Sequence, residues 1–206
     1  MADHLEIEQK FDVPPEFERP DFATLDGSCD EPVSAAPPVL YHLSATYFDT
    51  ADERLAASKI TLRRRTGGTD AGWHLKLPTG LAVAGGASVR REVHAPLGDG
   101  GRDVPAVLAA RVAEVTGGLP LAPVATLDTE RTVVTLTGTG GRVLAEIADD
   151  VVTGRRPTGK EIRWREIEVE APRPVPALQR AAADLLLAAG ARPAGHASKL
   201  SRVLNA

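Results

Sequence analysis

Polar and apolar residues alternate along most of this chain with a period of two, the mark of strands whose side chains point to opposite faces. In the opening stretch Leu5, Ile7 and Phe11 fall on one face and Glu6, Glu8 and Lys10 on the other. Residues 39–50 regain strand character. Residues 60–66 and 73–77 read as a hairpin turning through Gly67-Gly68 and Gly72. Thr61, Arg63 and Arg65 share a face of its first strand, and His74 and Lys76 face away from Trp73, Leu75 and Leu77 in its second. In residues 88–95, Arg90, Glu92 and His94 alternate with Val89, Arg91 and Val93, and Arg91 leaves the register open. Two further strands, 125–137 and 142–152, carry Arg131 and the pair Glu146 and Asp150, with residues 138–141 as their turn. The last strand, 162–171, sets Glu166, Glu168 and Glu170 against Ile167 and Val169.

Between these strands the period changes. Residues 105–116 carry Val107, Leu108, Arg111, Val112 and Val115 at helical spacing, with Pro105 near the start and Gly117-Gly118 at the stop. Residues 176–189 form a second helix, stopped at Gly190, and a last short one holds Ser198-Lys199-Leu200. Residues 51–58 read as a short helix or turn. The Pro- and acid-rich stretch 14–38 is a surface insertion with one or two helical turns, 80–86 is Gly-rich and 154–160 is a basic loop. With no internal repeat and no disordered tract, residues 1–206 make a single domain, closed by its C-terminal helical segment 176–206.

Strands that are charged on one face and apolar on the other suit a closed sheet in either orientation, but small barrels normally fill their interior with apolar side chains. Here the outer apolar face is the one the helices can cover. The pattern predicts an α+β fold, mainly antiparallel β, closed around a wet polar lumen. Unpaired charges inside would cost several kcal/mol each, so they must be paired, hydrated or occupied by ions. Holding a highly charged ligand would justify that cost.

Bulk properties narrow the ligand. The 206 residues are 43% hydrophobic, enough for a proper core, and the single Cys29 excludes an internal disulfide framework. No His/Cys cluster has zinc-ligand spacing. A net charge of -4 argues against a broad nucleic-acid footprint, and 4% aromatic content leaves few platforms for stacked bases. No apolar run is long enough to cross a bilayer, and acids stand where a signal peptide would carry positive charge. A cytoplasmic protein without nucleic-acid or membrane partners is expected.

The ordered set Glu6-Ile7-Glu8-Gln9-Lys10, Tyr47-Phe48-Asp49-Thr50, Leu62-Arg63-Arg64-Arg65, Lys76, Arg90 with Glu92, Arg131, Glu146 with Asp150, Glu166-Ile167-Glu168 and Ser198-Lys199 resembles the CYTH family, the triphosphate tunnel metalloenzymes. The resemblance covers essentially the whole chain and implies an eight-stranded closed tunnel barrel with helices packed outside. It implies that Lys10, Arg63, Arg65, Lys76, Arg90, Arg131 and Lys199 bind triphosphate, whose oxygens suit several cations at once and Arg forks in particular. Carboxylates would repel that anion unless a hard divalent cation lay between, so Mg²⁺ or Mn²⁺ is the implied cofactor. Its ligands would come from Glu6, Glu8, Glu146, Asp150, Glu166 and Glu168, with Glu92 less secure. Glu6, Glu8, Lys10, Glu166 and Glu168 form the implied catalytic set.

The implied activity is metal-dependent hydrolysis of the terminal phosphate of inorganic triphosphate, or of a nucleoside or thiamine triphosphate, a small-molecule partner in each case. A class IV adenylyl cyclase and a noncatalytic polyphosphate-binding module are the alternatives; survival of both acidic motifs favours catalysis. Family members are also fused to a helical phosphate-associated domain, for which this chain is read as too short. Other residues take plainer readings: Tyr47 and Phe48 as packing, Asp49 and Thr50 as turn caps, His74 as a surface histidine. Glu170, beside Pro172 near the rim, is left out, as are Arg64, Arg91 and Arg165 on the other parity. Trp73 and Trp164 have no assigned role.

Overall fold

The computed structural model describes residues 2–82, 87–98 and 103–206. Ten strands, β1 (Ala2–Val13), β2 (Ser34–Ala35), β3 (Val39–Asp49), β4 (Thr61–Thr66), β5 (Gly72–Ala82), β6 (Ser88–Ala95), β7 (Ala122–Thr137), β8 (Val143–Arg155), β9 (Ile162–Ala171) and β10 (Arg192–Pro193), join in one antiparallel sheet. Eight of them close on themselves in the order β1-β6-β5-β4-β3-β7-β8-β9, and β9 returns to β1 through Lys10 opposite Glu168. Closure removes the exposed sheet edge. The short β2 and β10 only append to β7 and β1. Part of the Gly-rich stretch, residues 83–86, lies outside the described residues.

Why the chain turns where it does is clearest at the β4–β5 hairpin. Gly67 and Gly68 have φ of 79° and 72°. A Cβ on Gly67 would fall 2.0 Å from the His42 carbonyl oxygen, so a side chain there is excluded by both conformation and space. The basic stretch read as a loop begins as strand, because β8 continues to Arg155 by pairing with Thr126.

Three helices cover the barrel's outer apolar face. Beneath α1 (Arg54–Ala57) and α2 (Ala106–Thr116), Leu62, Trp73, Leu75 and Val93 pack with Leu55, Leu108 and Val112. Trp73 thereby gains a core role, 5.1 Å from Phe48 between ring centroids. On the opposite side α3 (Pro176–Ala188) lays Leu178, Ala182 and Leu186 on Phe11, Ile147, Ile167 and Val169. The 14–38 connection is more than a surface insertion: Phe17, Phe22, Leu25 and Val33 are buried in that same cluster. Asp49 caps as its motif predicts, its buried carboxylate accepting from Leu55 N and Ala56 N at 2.9 Å each.

The fourth helix, α4 (Lys199–Leu204), sits elsewhere. Its Leu200 and Val203 pack against Ala45, Tyr47, Leu127, Val152 and Trp164, side chains on the inward parity of their strands. α4 therefore occupies one end of the barrel. Ser198 starts it with a reciprocal capping box to Ser201, both hydrogen bonds 3.0 Å.

Candidate active site

Strand parity aims the polar face inward. Along β1 the inward residues run His4, Glu6, Glu8, Lys10 from the open mouth toward α4, and antiparallel pairing sets Glu6 beside Arg90 and Lys10 beside Glu168. The open register of β6 is resolved: Arg90, Glu92 and His94 face the lumen, while Arg91 turns out to pair with Asp3 at 2.6 Å. Together the walls enclose a cavity of about 530 Å³. Charged groups line it, yet Glu8, Arg65, Arg90, Glu92, Glu168 and Lys199 are all buried.

Most of these charges compensate one another. Lys10 Nζ donates to Glu8 at 2.8 Å and to Glu168. Lys76 Nζ lies 2.5 Å from Glu6, and Arg131 forks onto Asp150 at 2.7 Å through two nitrogens while also reaching Glu168 at 2.8 Å. Arg65 pairs with Asp70. At the α4 end, the Lys199 ammonium touches three carboxylates at once: Asp150 at 2.9 Å, Glu166 at 2.7 Å and Glu168 at 2.8 Å.

Two guanidiniums stand apart. Arg63 donates only to the Tyr47 hydroxyl, at 3.2 Å, and Arg90 only to the Lys59 and Lys76 carbonyls, at 2.7 and 3.4 Å; neither has a carboxylate partner among the described residues. They are cations with their charge unspent.

The same asymmetry governs protonation. Burial alone would raise Glu8, but Lys10 and Lys76 outweigh it and hold the carboxyl at about 2. Glu166 is also held at about 2, desolvation being overcome by Lys199 and the His196 hydrogen bond. Glu168 lies well below the ordinary range, its burial offset by Lys10, Lys199 and Arg131. Glu170 goes the other way: burial, then Glu6 and Glu168, push it up to about 8. Arg65 is brought down to about 9 by burial and by Arg63 and Arg131.

The acids separate into two groups that each could hold a cation. Glu6, Glu8 and Glu170 bring carboxylate oxygens within 4.8 Å of one another, and so do Asp150, Glu166 and Glu168. Glu146 joins neither group; it is exposed at the mouth, opposite Glu170 on the neighbouring strand.

A CYTH domain model matches residues 4–201. The chain belongs to the CYTH family. Two uncharacterized proteins of Mycobacterium tuberculosis, from strains CDC 1551 and H37Rv, are each 42% identical to this CYTH chain over 221 residues. The alignment takes in 100% of this chain and 41% of each relative, so the chain spans about two fifths of the length of these curated relatives. Among solved structures, a candidate adenylate cyclase of Bacillus halodurans is 18% identical, with 98% of each chain covered and a TM-score of 0.61. A candidate adenylyl cyclase of Hippeastrum, described as having a dominant triphosphatase activity, is 19% identical over 97% of this chain and 95% of its own, with a TM-score of 0.55. At such identities the likeness is one of fold.

Within this CYTH tunnel the cations predicted from parity, Lys10, Arg63, Arg65, Lys76, Arg90, Arg131 and Lys199, all line one cavity. Two residues correct the sequence reading. His74 is no surface histidine: it is 2% exposed, with Nδ1 2.7 Å from Glu92 and Nε2 2.9 Å from the Asp70 carbonyl. Two acceptors flanking one ring suit an imidazolium, but burial and then Arg63 and Arg65 outweigh the Glu92 hydrogen bond and hold it at about 3, so its proton sits on the Glu92 side. Glu170 is no bystander at the rim either, since it completes the group with Glu6 and Glu8. Its parity with Glu166 and Glu168 was the available signal. Trp164 also acquires a part, donating Nε1–H to Glu166 at 2.6 Å, where His196 Nε2 approaches at 3.2 Å.

Among the described residues no helix is long and apolar enough to cross a membrane.

Proposed function

We propose that this CYTH domain is a metal-dependent triphosphatase that removes the terminal phosphate of inorganic triphosphate or a related organic triphosphate. Membership in the family supports a phosphoryl-transfer or hydrolase activity. The observation that carries the finer reading is one cavity holding both uncommitted guanidiniums, Arg63 and Arg90, and a group of three carboxylates, Glu6, Glu8 and Glu170. The guanidiniums ask for an anion, and the carboxylates ask for a cation.

The fit of a divalent ion rests on the donor set. Glu6, Glu8 and Glu170 offer oxygen only, as Mg²⁺ and Mn²⁺ prefer. Glu170 is held up near 8 by its acidic neighbours, a repulsion that a bound cation would relieve. Glu6 Oε2 is buried without an aligned hydrogen bond, although Lys76 lies close. Asp150, Glu166 and Glu168 suit a cation equally by type, but the Lys199 ammonium already meets all three. We therefore assign the first ion to Glu6, Glu8 and Glu170, and a further one to the Lys199 group only if that lysine withdraws. Such an ion would supply charge neutralisation and an activated water.

The chain's own residues would do the rest. Arg63 and Arg90 would anchor phosphate oxygens, while Lys10, Lys76, Arg131 and Lys199, each already held by carboxylates, would be oriented to share their remaining N–H groups with the same anion. Phosphoryl transfer asks chiefly for such positioning and charge neutralisation, without a covalent nucleophile.

Orthophosphate release from inorganic triphosphate, adenosine triphosphate and thiamine triphosphate, each with Mg²⁺, Mn²⁺ or chelator, tests this. Metal-dependent release supports the reading. Cyclic nucleotide formation would replace it by the cyclase alternative, and binding without turnover by the binding-module alternative.

A further inference from the structure

The tunnel changes character along its length. The two uncommitted guanidiniums lie toward α4: Arg63 stands one inward position deeper than Arg65 on β4, and Arg90 two deeper than His94 on β6. A chain of phosphates is drawn to that end, and anything attached to it is left at the mouth. There the wall is of another kind. His74 and His94 line it, and Leu5 and Val143 stand at its rim, 48% and 40% exposed.

The two imidazoles are arranged rather than scattered. His74 is buried and fixed between Glu92 and the Asp70 carbonyl. His94 meets it edge-on, ring centroids 4.8 Å apart and planes inclined 63°. The Nε2 of His94 is buried with no hydrogen-bond partner among the described residues, although the residue as a whole is only partly buried. Room for the ring comes from Gly72, where a Cβ would lie 2.2 Å from His94 Nε2 and 2.7 Å from the Ala95 carbonyl oxygen. Nothing in the ion-pair system of the tunnel uses His94. A bare phosphate chain gains nothing from an aromatic face and an apolar rim, whereas a heterocycle gains from both.

We propose that His94, backed by His74, is a stacking surface for the organic end of a triphosphate ester, making the substrate class a nucleoside triphosphate or similar heterocyclic triphosphate. This rests on the triphosphate reading above. The phosphates enter first, and the heterocycle stops at the mouth.

Equilibrium binding in chelator separates this inference from the reading it rests on. Adenosine triphosphate and inorganic triphosphate are titrated by calorimetry into the wild type, His94→Ala and His94→Phe, with phosphate release measured on the same samples in Mg²⁺. His94→Ala weakens the nucleotide about tenfold, the scale of one stacked base, and leaves inorganic triphosphate within about twofold by the same reasoning. His94→Phe, which keeps an aromatic face, restores the nucleotide. Equal losses for both ligands, no loss for either, or a phenylalanine variant as weak as the alanine one would overturn the stacking role. Binding with the expected ratio but without phosphate release would leave the stacking surface standing and remove the triphosphatase. Failure of the wild type to bind either ligand removes both.

Discussion

Arg63 and Lys199 both carry positive charge into one cavity, yet they stand in opposite states. Arg63 has no carboxylate to leave when an anion arrives, so its full charge is available. Arg63→Ala should weaken inorganic triphosphate about tenfold or more, on the scale of a lost charge-assisted contact, and orthophosphate much less; comparable losses in a calorimetric titration would mean the site does not grip a phosphate chain. Lys199 is the opposite case, 7% exposed and held by three carboxylates. Lys199→Met strands that negative charge, and breaking buried pairs of this kind costs about 3–5 kcal/mol. Urea denaturation in chelator should register that loss, and millimolar Mn²⁺ should recover part of it by replacing the ammonium. Glu6 answers chiefly to Lys76, so Glu6→Gln should leave the fold intact while cutting metal-dependent turnover at least ~100-fold, given that even outer-shell partners of a metal matter 10–100-fold. Turnover near wild type at unchanged melting temperature would remove Glu6 from the metal site.

Elements explain which of these residues could be read in advance. Alternation set the inward parity of β1, β4, β5, β6 and β9, and with it every predicted cation of the tunnel, because a period of two assigns faces without reference to partners. Which carboxylate meets which cation depends on register between strands distant in sequence, so Lys199 against Asp150, Glu166 and Glu168 could not be foreseen. His74 and Glu170 had the right parity; they were set aside because single residues near strand ends give no sign of depth. α4 marks the other limit. Helical spacing shows an apolar stripe but not what it will cover, and Leu200 and Val203 cover the barrel's inner end rather than its outer face. That packing is tight: a Cβ on Gly154 would fall 2.6 Å from Val203. Leu200→Ala should therefore cost about 2–5 kcal/mol in urea denaturation, as for other buried leucines. Trp164, in the same cluster, should report the loosening by a fluorescence shift. An unchanged midpoint would mean that α4 rests on the barrel without stabilising it.

At the scale of the whole molecule, stability and chemistry occupy different surfaces of one sheet. The outer face is sealed by α1, α2, α3 and the 14–38 segment, which frees the inner face to carry charge. The inner charges then give the fold its pH dependence. Glu8 and Glu166 have folded values near 2 against an ordinary 4.5, so they contribute stability that is present above 4.5 and lost as pH falls from there toward 2. Glu170 has the opposite sign. Its folded value near 8 lies above 4.5, so its contribution is complete below 4.5 and disappears as pH rises through 8. Without metal, the melting temperature should fall on both sides of a maximum, steeply in acid and more gently between about pH 6 and 9, the window in which Glu170 ionises beside Glu6. A divalent cation favours the ionised carboxylate, so the rise in melting temperature on adding Mg²⁺ should be larger at pH 8 than at pH 6. Glu170→Gln should flatten the alkaline slope and reduce the difference between those two rises. Thermal melts of both proteins across that range, with and without Mg²⁺, decide it; an alkaline slope unchanged by Glu170→Gln would mean that this carboxyl does not titrate against the Glu6 group at all.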